Sequence, residues 1–309
     1  MKTSRLPVAA TSQARAVAAL AAAGVAWGTS VPLSKTALSW LPPGWLVVAR
    51  FGLAAAVLLA TVDRAALRAA LRWQVLAWGA AGLGGSVLIQ NVGLARTSVT
   101  HAALLIGAGP VLVAVIAAAW HHTVARPVAW AGFATSLGGV AVVVSEAGSG
   151  GGASGAGDAM VLASVLIVAT MTVAQRRLLE GQDPVAITAV QFLGAALAAL
   201  PVAACTEGAP PVPPAGGAGV VAILAVLALT AAGTLAPFTL FAYGQRKVPT
   251  EVAGSFLNLE PLVGALVGVV AFGDPAGPRL LAGGAAILGG ILMSSLPALR
   301  GGPRLATVG

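Results

Sequence analysis

Charged residues along this chain are so sparse that long apolar runs lie between them. Uncharged stretches cover 16–34, 73–95, 97–125, 127–145, 159–175, 184–206 and 280–299. A helix needs about 20 apolar residues to cross the hydrocarbon core of a bilayer, so most of these runs predict one span each. The stretch 208–245 holds one more behind its Pro-rich start, GAPPVPPAGGAG at 208–219. Two further spans, about 44–62 and 250–272, are interrupted by Arg50 and Glu260. The pattern predicts an all-α integral membrane protein with ten transmembrane helices.

The pattern also repeats. Residues 75–142, shifted by 151 positions, lie without a gap on 226–293 with identity at 18 of 68 pairs. Gly82 falls on Gly233, Gly93 on Gly244, Pro110 on Pro261, Pro127 on Pro278 and Gly138-Gly139 on Gly289-Gly290. Earlier in each half an offset of 141 pairs Thr29 with Thr170, Lys35 with Arg176, Pro43 with Pro184 and Phe51 with Phe192. The expected organisation is a first five-helix repeat at 16–146, a Gly-rich linker at 147–157 (AGSGGGASGAG) and a second five-helix repeat at 158–299. Five is odd, so the second copy enters the membrane in the opposite orientation, and the halves form an inverted repeat. Duplicated membrane chains with proline at matching depths are characteristic of transport proteins.

Composition agrees and narrows the field. With 58% hydrophobic residues, 8% charged and a mean hydropathy of +0.94, this is not an ordinary soluble domain, where about one quarter of residues are charged. Placing the N-terminus in the cytoplasm puts thirteen Lys and Arg inside, with Lys35, Arg96 and Arg279 outside and Arg50 within a span. That bias predicts a multi-pass protein of the cell membrane with both termini cytoplasmic. It also assigns the pI of 11.3 to short loops beside anionic lipid rather than to nucleic-acid binding. Basic residues before VAALAAAGVA could be mistaken for a cleavable signal peptide cut at Ala21–Ala23; the run continues uncharged to Ser34 and is needed as span one. Cys205 is the single cysteine, which permits no internal disulfide and no cysteine-based zinc site. The linker's GxGxxG at Gly150, Gly152 and Gly155 has no strand before it and a span after it, so it is not read as a dinucleotide site.

Within this frame Glu260 is the first candidate for chemistry. It stands about ten residues from the cytoplasmic end of its span, near the bilayer midplane, where a carboxylate is costly unless it faces a cavity or a partner. Pro261 follows, and having no N–H it leaves the carbonyl of Leu257 unpaired beside Asn258. Pro110 does the same to Ile106 in the first repeat, next to Gly107 and Gly109. Two broken helices meeting at mid-depth form a candidate substrate site. The alternative is that both prolines only kink helices and Glu260 is a structural hydrogen-bonding group. Arg50 lies near enough to the outer end of its span to snorkel, though its counterpart Gln191 is also polar. Gln90 and Asn91 either line the pathway or hold helices together. Trp27 and Phe238 are candidate apolar walls, Phe238 because Pro237 is expected to break the eighth span beside it. Thr29, Ser30, Thr170 and Thr172 are weaker candidates. Gly24 with Gly28 and Gly264 with Gly268 are read as close-approach points between helices. His101, His121 and His122 stand near span ends without an HExxH motif, and no metal or cofactor is expected.

Together these residues resemble the EamA-type branch of the drug/metabolite transporter superfamily, over about 16–299. Trp27-Gly28 with Lys35 resembles its first-helix WG…K pattern, Arg50-Phe51 its second-helix Arg-Phe, and Leu259-Glu260-Pro261 its LEP sequence. The family usually carries an acidic residue thirteen positions after each such proline. Asp274 keeps it after Pro261, whereas Thr123 stands after Pro110. The resemblance implies efflux or uptake of small metabolites, with amino-acid exporters prominent.

The leading expectation is a secondary transporter of a small polar or amphipathic solute, working by alternating access within the lipid bilayer. No GxSxG elbow or Walker A sequence is present, so the driving force is expected to be a gradient, with protons one choice and Glu260 their best-placed carrier. The rival is a non-transporting scaffold or accessory subunit, and an intramembrane enzyme is the more remote reading. Oligomeric state is left open, a homo-oligomer included.

Overall fold

The structure is a computed structural model that describes residues 8–120, 123–124, 127–145, 153–179, 181–245, 256, 259–299 and 306–307. The described residues are helical apart from short connections and one antiparallel pairing of Thr123–Val124 with Ala306–Thr307. Among the described residues seven stretches are long and apolar enough to cross a membrane: Ala14–Ala37, Pro43–Thr61, Trp73–Ala95, Val99–Trp120, Gly155–Val173, Pro184–Glu207 and Gly217–Phe241. Three more apolar helices pack among them, Pro127–Ser145, Leu259–Phe272 and Pro278–Leu299. Of the ten spans expected, seven satisfy the length and composition of a crossing among the described residues.

Local signals account for where the helices begin. Pro43 and Pro184 open Pro43–Thr61 and Pro184–Glu207 at the first helical position, where a missing N–H costs nothing. Asp63 and Asp183 each accept two backbone N–H groups of the helix they precede, satisfying donors that a helix start leaves unpaired. The helix Gly155–Leu179 begins three residues inside the expected linker, with the Ser154 hydroxyl accepting from Gly157 N at 3.0 Å.

Several spans are broken, and not all where proline alone suggests. Val99–Gly107 stops at Ala108 before a second helix, Gly109–Trp120, as expected from Pro110. The first span divides at Thr29 into Val8–Gly28 and Ser30–Ala37. Pro32 lacks the N–H that would bond the Gly28 carbonyl, which accounts for the break. The third and eighth spans each contain a π-helix, Gly79–Gly85 and Ala231–Leu235. Shifted back by 151, the second falls inside the first. The break expected from Pro237 is thus corrected: the irregularity precedes it, recurs in the third span without any proline, and follows the glycines at 82 and 233.

Contacts between the halves are reciprocal. A Cβ at Gly139 would stand 2.6 Å from the Gly283 carbonyl oxygen, and one at Gly290 would stand 2.4 Å from that of Gly132; 139 matches 290 and 132 matches 283. Gly82 packs on Met171 while Gly233 packs on Ser30, the residue that matches Met171. Gly93 approaches the Gly157 carbonyl while Gly244 approaches that of Ala16, again matched positions. When i meets j and the counterpart of j meets the counterpart of i, the two units are related by a two-fold axis. Phe51 and Phe192, matched to each other, meet as a tilted pair with ring centroids 5.2 Å apart.

Candidate functional site

The break at Ala108 in the fourth span packs against the start of Leu259–Phe272, where the two halves meet. A Cβ added at Gly107, just before the break at Ala108, would lie 2.5 Å from the Pro261 side chain, and Pro261 is buried. Gly28, at the end of the first half of span one, packs on Val263 and on the Glu260 carbonyl, and Gly264 packs on Ala103 and the Gly28 carbonyl. The small residues at 24, 28 and 264 thus act as close-approach points. Glu260 opens the first turn of Leu259–Phe272 and is partly buried. Asn258 lies outside the described residues, and so do Leu257, His121 and His122.

Arg50 is held inward. It is 9% exposed, donates from Nε to Thr234 Oγ1 at 2.7 Å and from Nη2 to the Gly233 carbonyl at 3.2 Å. Thr234 Oγ1 in turn donates to Leu229 O, five residues back. A π-helix displaces the hydrogen-bond register by one residue and frees backbone acceptors, and Arg50 takes one of them. The snorkelling expectation for Arg50 is therefore replaced by a cross-repeat contact. Its counterpart Gln191 is also buried, against Gly79 of the other π-helix. Arg50 and Glu260 lie close enough for their charges to interact.

An aromatic ladder flanks this centre. Trp27 meets Phe238 at 5.4 Å and Phe241 at 5.5 Å, and Phe238 meets Phe192 at 5.7 Å. These are edge or tilted geometries, which the ring quadrupole favours, and they run from the first span to the seventh and eighth. Phe238 remains 41% exposed. Asn91 is 1% exposed, with its amide donating to the Pro43 carbonyl at 3.4 Å, so it ties two helices together; Gln90 is partly exposed. Thr29, Thr170 and Thr172 each bond a carbonyl of their own helix.

A second polar region, which sequence reasoning missed, lies at the end of the bundle that carries Lys35 and Asp274. Lys35 Nζ donates to the carbonyl of Leu94, in the last turn of Ser86–Ala95, at 2.6 Å and to that of Thr97, in the connection that follows, at 2.8 Å. Asp274 Oδ2 accepts from Thr100 N at 2.7 Å and interacts electrostatically with Lys35. Asp158 is fully buried, bonded to His101 Nδ1 at 2.8 Å and to the Thr97 hydroxyl. Glu207 accepts from Gly44 N at 2.8 Å and Trp45 N at 3.0 Å, while Trp40 Nε1 donates to the Pro211 carbonyl. The available signal was that Asp158 is an acid at the very edge of the apolar run 159–175. Among the described residues no group of three or more His, Cys, Asp or Glu side chains is arranged to hold a metal ion.

The chain matches the EamA-like transporter family twice, over residues 14–145 and 155–296. It belongs to the EamA-like transporter family. An uncharacterized transporter of Archaeoglobus fulgidus is 41% identical over 61 residues, which are 20% of this chain and 23% of that protein, so the match spans under a quarter of the relative's length. A solved crystal structure aligns with 92% of this chain and 98% of its own, with a TM-score of 0.64 and 24% identity; that likeness concerns the fold. For an EamA-like protein the two family matches fall on the two halves whose contacts are reciprocal. It is a multi-pass membrane protein with a transporter's architecture, and the centre just described lies where its two repeats meet.

Proposed function

We propose that this protein is a secondary transporter that moves a small polar or amphipathic solute across the cytoplasmic membrane by alternating access. The single observation that supports this most is that the broken helix of the first repeat, at Gly107 just before its break, packs against Pro261 near the start of the described helix Leu259–Phe272 of the second. Broken helices at the interface of inverted repeats present backbone polar groups at membrane depth, which hydrocarbon tolerates only around a cavity or site. In this reading the chain forms ten spans in two oppositely oriented halves, on either side of residues 147–154, with both termini cytoplasmic.

Glu260, Asn258 and the backbone freed by Pro110 and Pro261 bind the polar part of the solute, with Arg50 as the opposing charge. Trp27 and Phe238 supply the apolar wall, and Gln90 flanks the path. Asn91 serves that site by fixing the third span against the second. A cation and an anion beside aromatic rings suit a solute with both charges and an apolar part, such as an amino acid, and export is the direction the family resemblance favours.

Flux of a panel of radiolabelled amino acids and related metabolites into liposomes carrying the purified protein tests the reading. Saturable flux of at least one member is expected; no flux across the panel from protein shown to be folded favours a scaffold instead. If protons drive the cycle, Glu260→Gln abolishes acceleration by a pH gradient and leaves exchange at equal pH, because the amide keeps the shape but does not titrate. Unchanged acceleration in the folded variant removes Glu260 from that role.

A further inference from the structure

At the Asp274 end, three carboxylates of the second repeat close on three different places in the first. Asp158 holds Thr97 and His101, Asp274 holds Thr100 N, and Glu207 holds Gly44 N and Trp45 N. Two of these three bind backbone donors in the first turn of a helix, groups that have no partner within the helix itself. At the opposite end, among the described residues, Asp63 and Asp183 bind the first turns of their own helices. Among the described residues, the cross-repeat carboxylate bonds thus gather at this mouth of the bundle.

We infer that Asp158, Glu207 and Asp274 form a latch that keeps the outer mouth of the transport path shut, and that its release is the outward-opening step. This rests on the alternating-access reading and on the orientation given by the positive-inside bias. The bonds suit a gate because water can replace them. When the halves part, the exposed carboxylates and first-turn N–H groups exchange protein partners for water, so the net change per bond is small. Opening is then reversible, which a seal of interlocked apolar side chains would resist. Asp158 is the deepest of the three, with no exposure at all, and it joins the span Val99–Trp120 to the span Gly155–Val173. Lys35 braces the same connection from the other side by holding the Thr97 carbonyl. Released, the latch uncovers Ala103, which is 1% exposed one turn below Thr100 and packed on Gly264.

A cysteine at Ala103, in a chain with Cys205→Ala, reports the opening in right-side-out vesicles through its labelling rate with a membrane-impermeant maleimide. Asp158→Asn is expected to raise that rate about tenfold, as befits loss of charge-assisted bonds, with smaller rises for Asp274→Asn and Glu207→Gln. Asp63→Asn, a cap within one repeat, leaves the rate unchanged. Parental labelling in Asp158→Asn and Asp274→Asn, from protein that is monodisperse on extraction, overturns the latch. Should Asp158→Asn fail to fold, Thr97→Val, which removes one bond to the same carboxylate, takes its place; a rise supports the latch and a parental rate overturns it. The labelling needs no solute, so a protein that shows this pattern but no flux loses the transport reading alone, and one that transports without the pattern loses only the latch.

Discussion

The two ends of the bundle use the same chemistry for different purposes. Asp63 and Asp183 each satisfy N–H groups of the helix they begin, so their effect stays within one element. Asp158, Glu207 and Asp274 spend their lone pairs on the other repeat. A carboxylate of the first kind shapes a helix; one of the second kind joins two bodies and so bears on how they move apart. The distinction lies in geometry and not in residue type, since all five stand next to an apolar run.

The sharpest way to break that comparison is to remove one carboxylate of each kind. Asp158→Ala leaves buried His101 and Thr97 without their partner, and is expected to cost about 1–3 kcal/mol for each group left unsatisfied, whereas Asp63→Ala costs about 1 kcal/mol as a lost cap. Denaturant unfolding in detergent measures both, and equal losses would erase the contrast. Next in size is Thr234→Val, which takes from Arg50 its shortest hydrogen bond across the repeats. A loss of about 1.5–3 kcal/mol is expected, against under about 0.5 kcal/mol for Thr239→Val, whose hydroxyl bonds only its own helix. The smallest effect separates two neighbouring glycines. Gly139→Ala forces a methyl onto the Gly283 carbonyl and Ile287 N, an overpacking cost of about 1–3 kcal/mol. Gly138→Ala meets nothing within 4 Å and is expected to be neutral or to stabilise the helix by up to about 1 kcal/mol. A larger loss at 138 than at 139 would contradict the reciprocal packing of Pro127–Ser145 on Pro278–Leu299.

Where sequence reasoning succeeded and where it stopped follows the range of the forces involved. Hydropathy is local, so the apolar runs, the duplication and the helix break before Pro110 were legible from residues alone. Proline announces a missing N–H wherever it stands, although Pro32 shows that even this signal is overlooked within an otherwise unbroken apolar run. The π-helices were not legible, because Gly79–Gly85 contains no proline and its widened turn accompanies the close approach of Gln191 and Met171, far away in sequence. Arg50 illustrates the same limit: its depth alone allowed snorkelling, and only the displaced backbone of the eighth span supplied acceptors that hold it inside. For His101 and Asp158, 57 residues apart, nothing in either segment signals the other. By itself the sequence determined that the chain is a duplicated, helical membrane protein with a charged residue inside each of two spans. Which polar groups meet was decided by tertiary structure alone, because a hydrogen bond acts over about 3 Å and depends on direction, whereas the hydrophobic pattern that sets the spans has neither requirement.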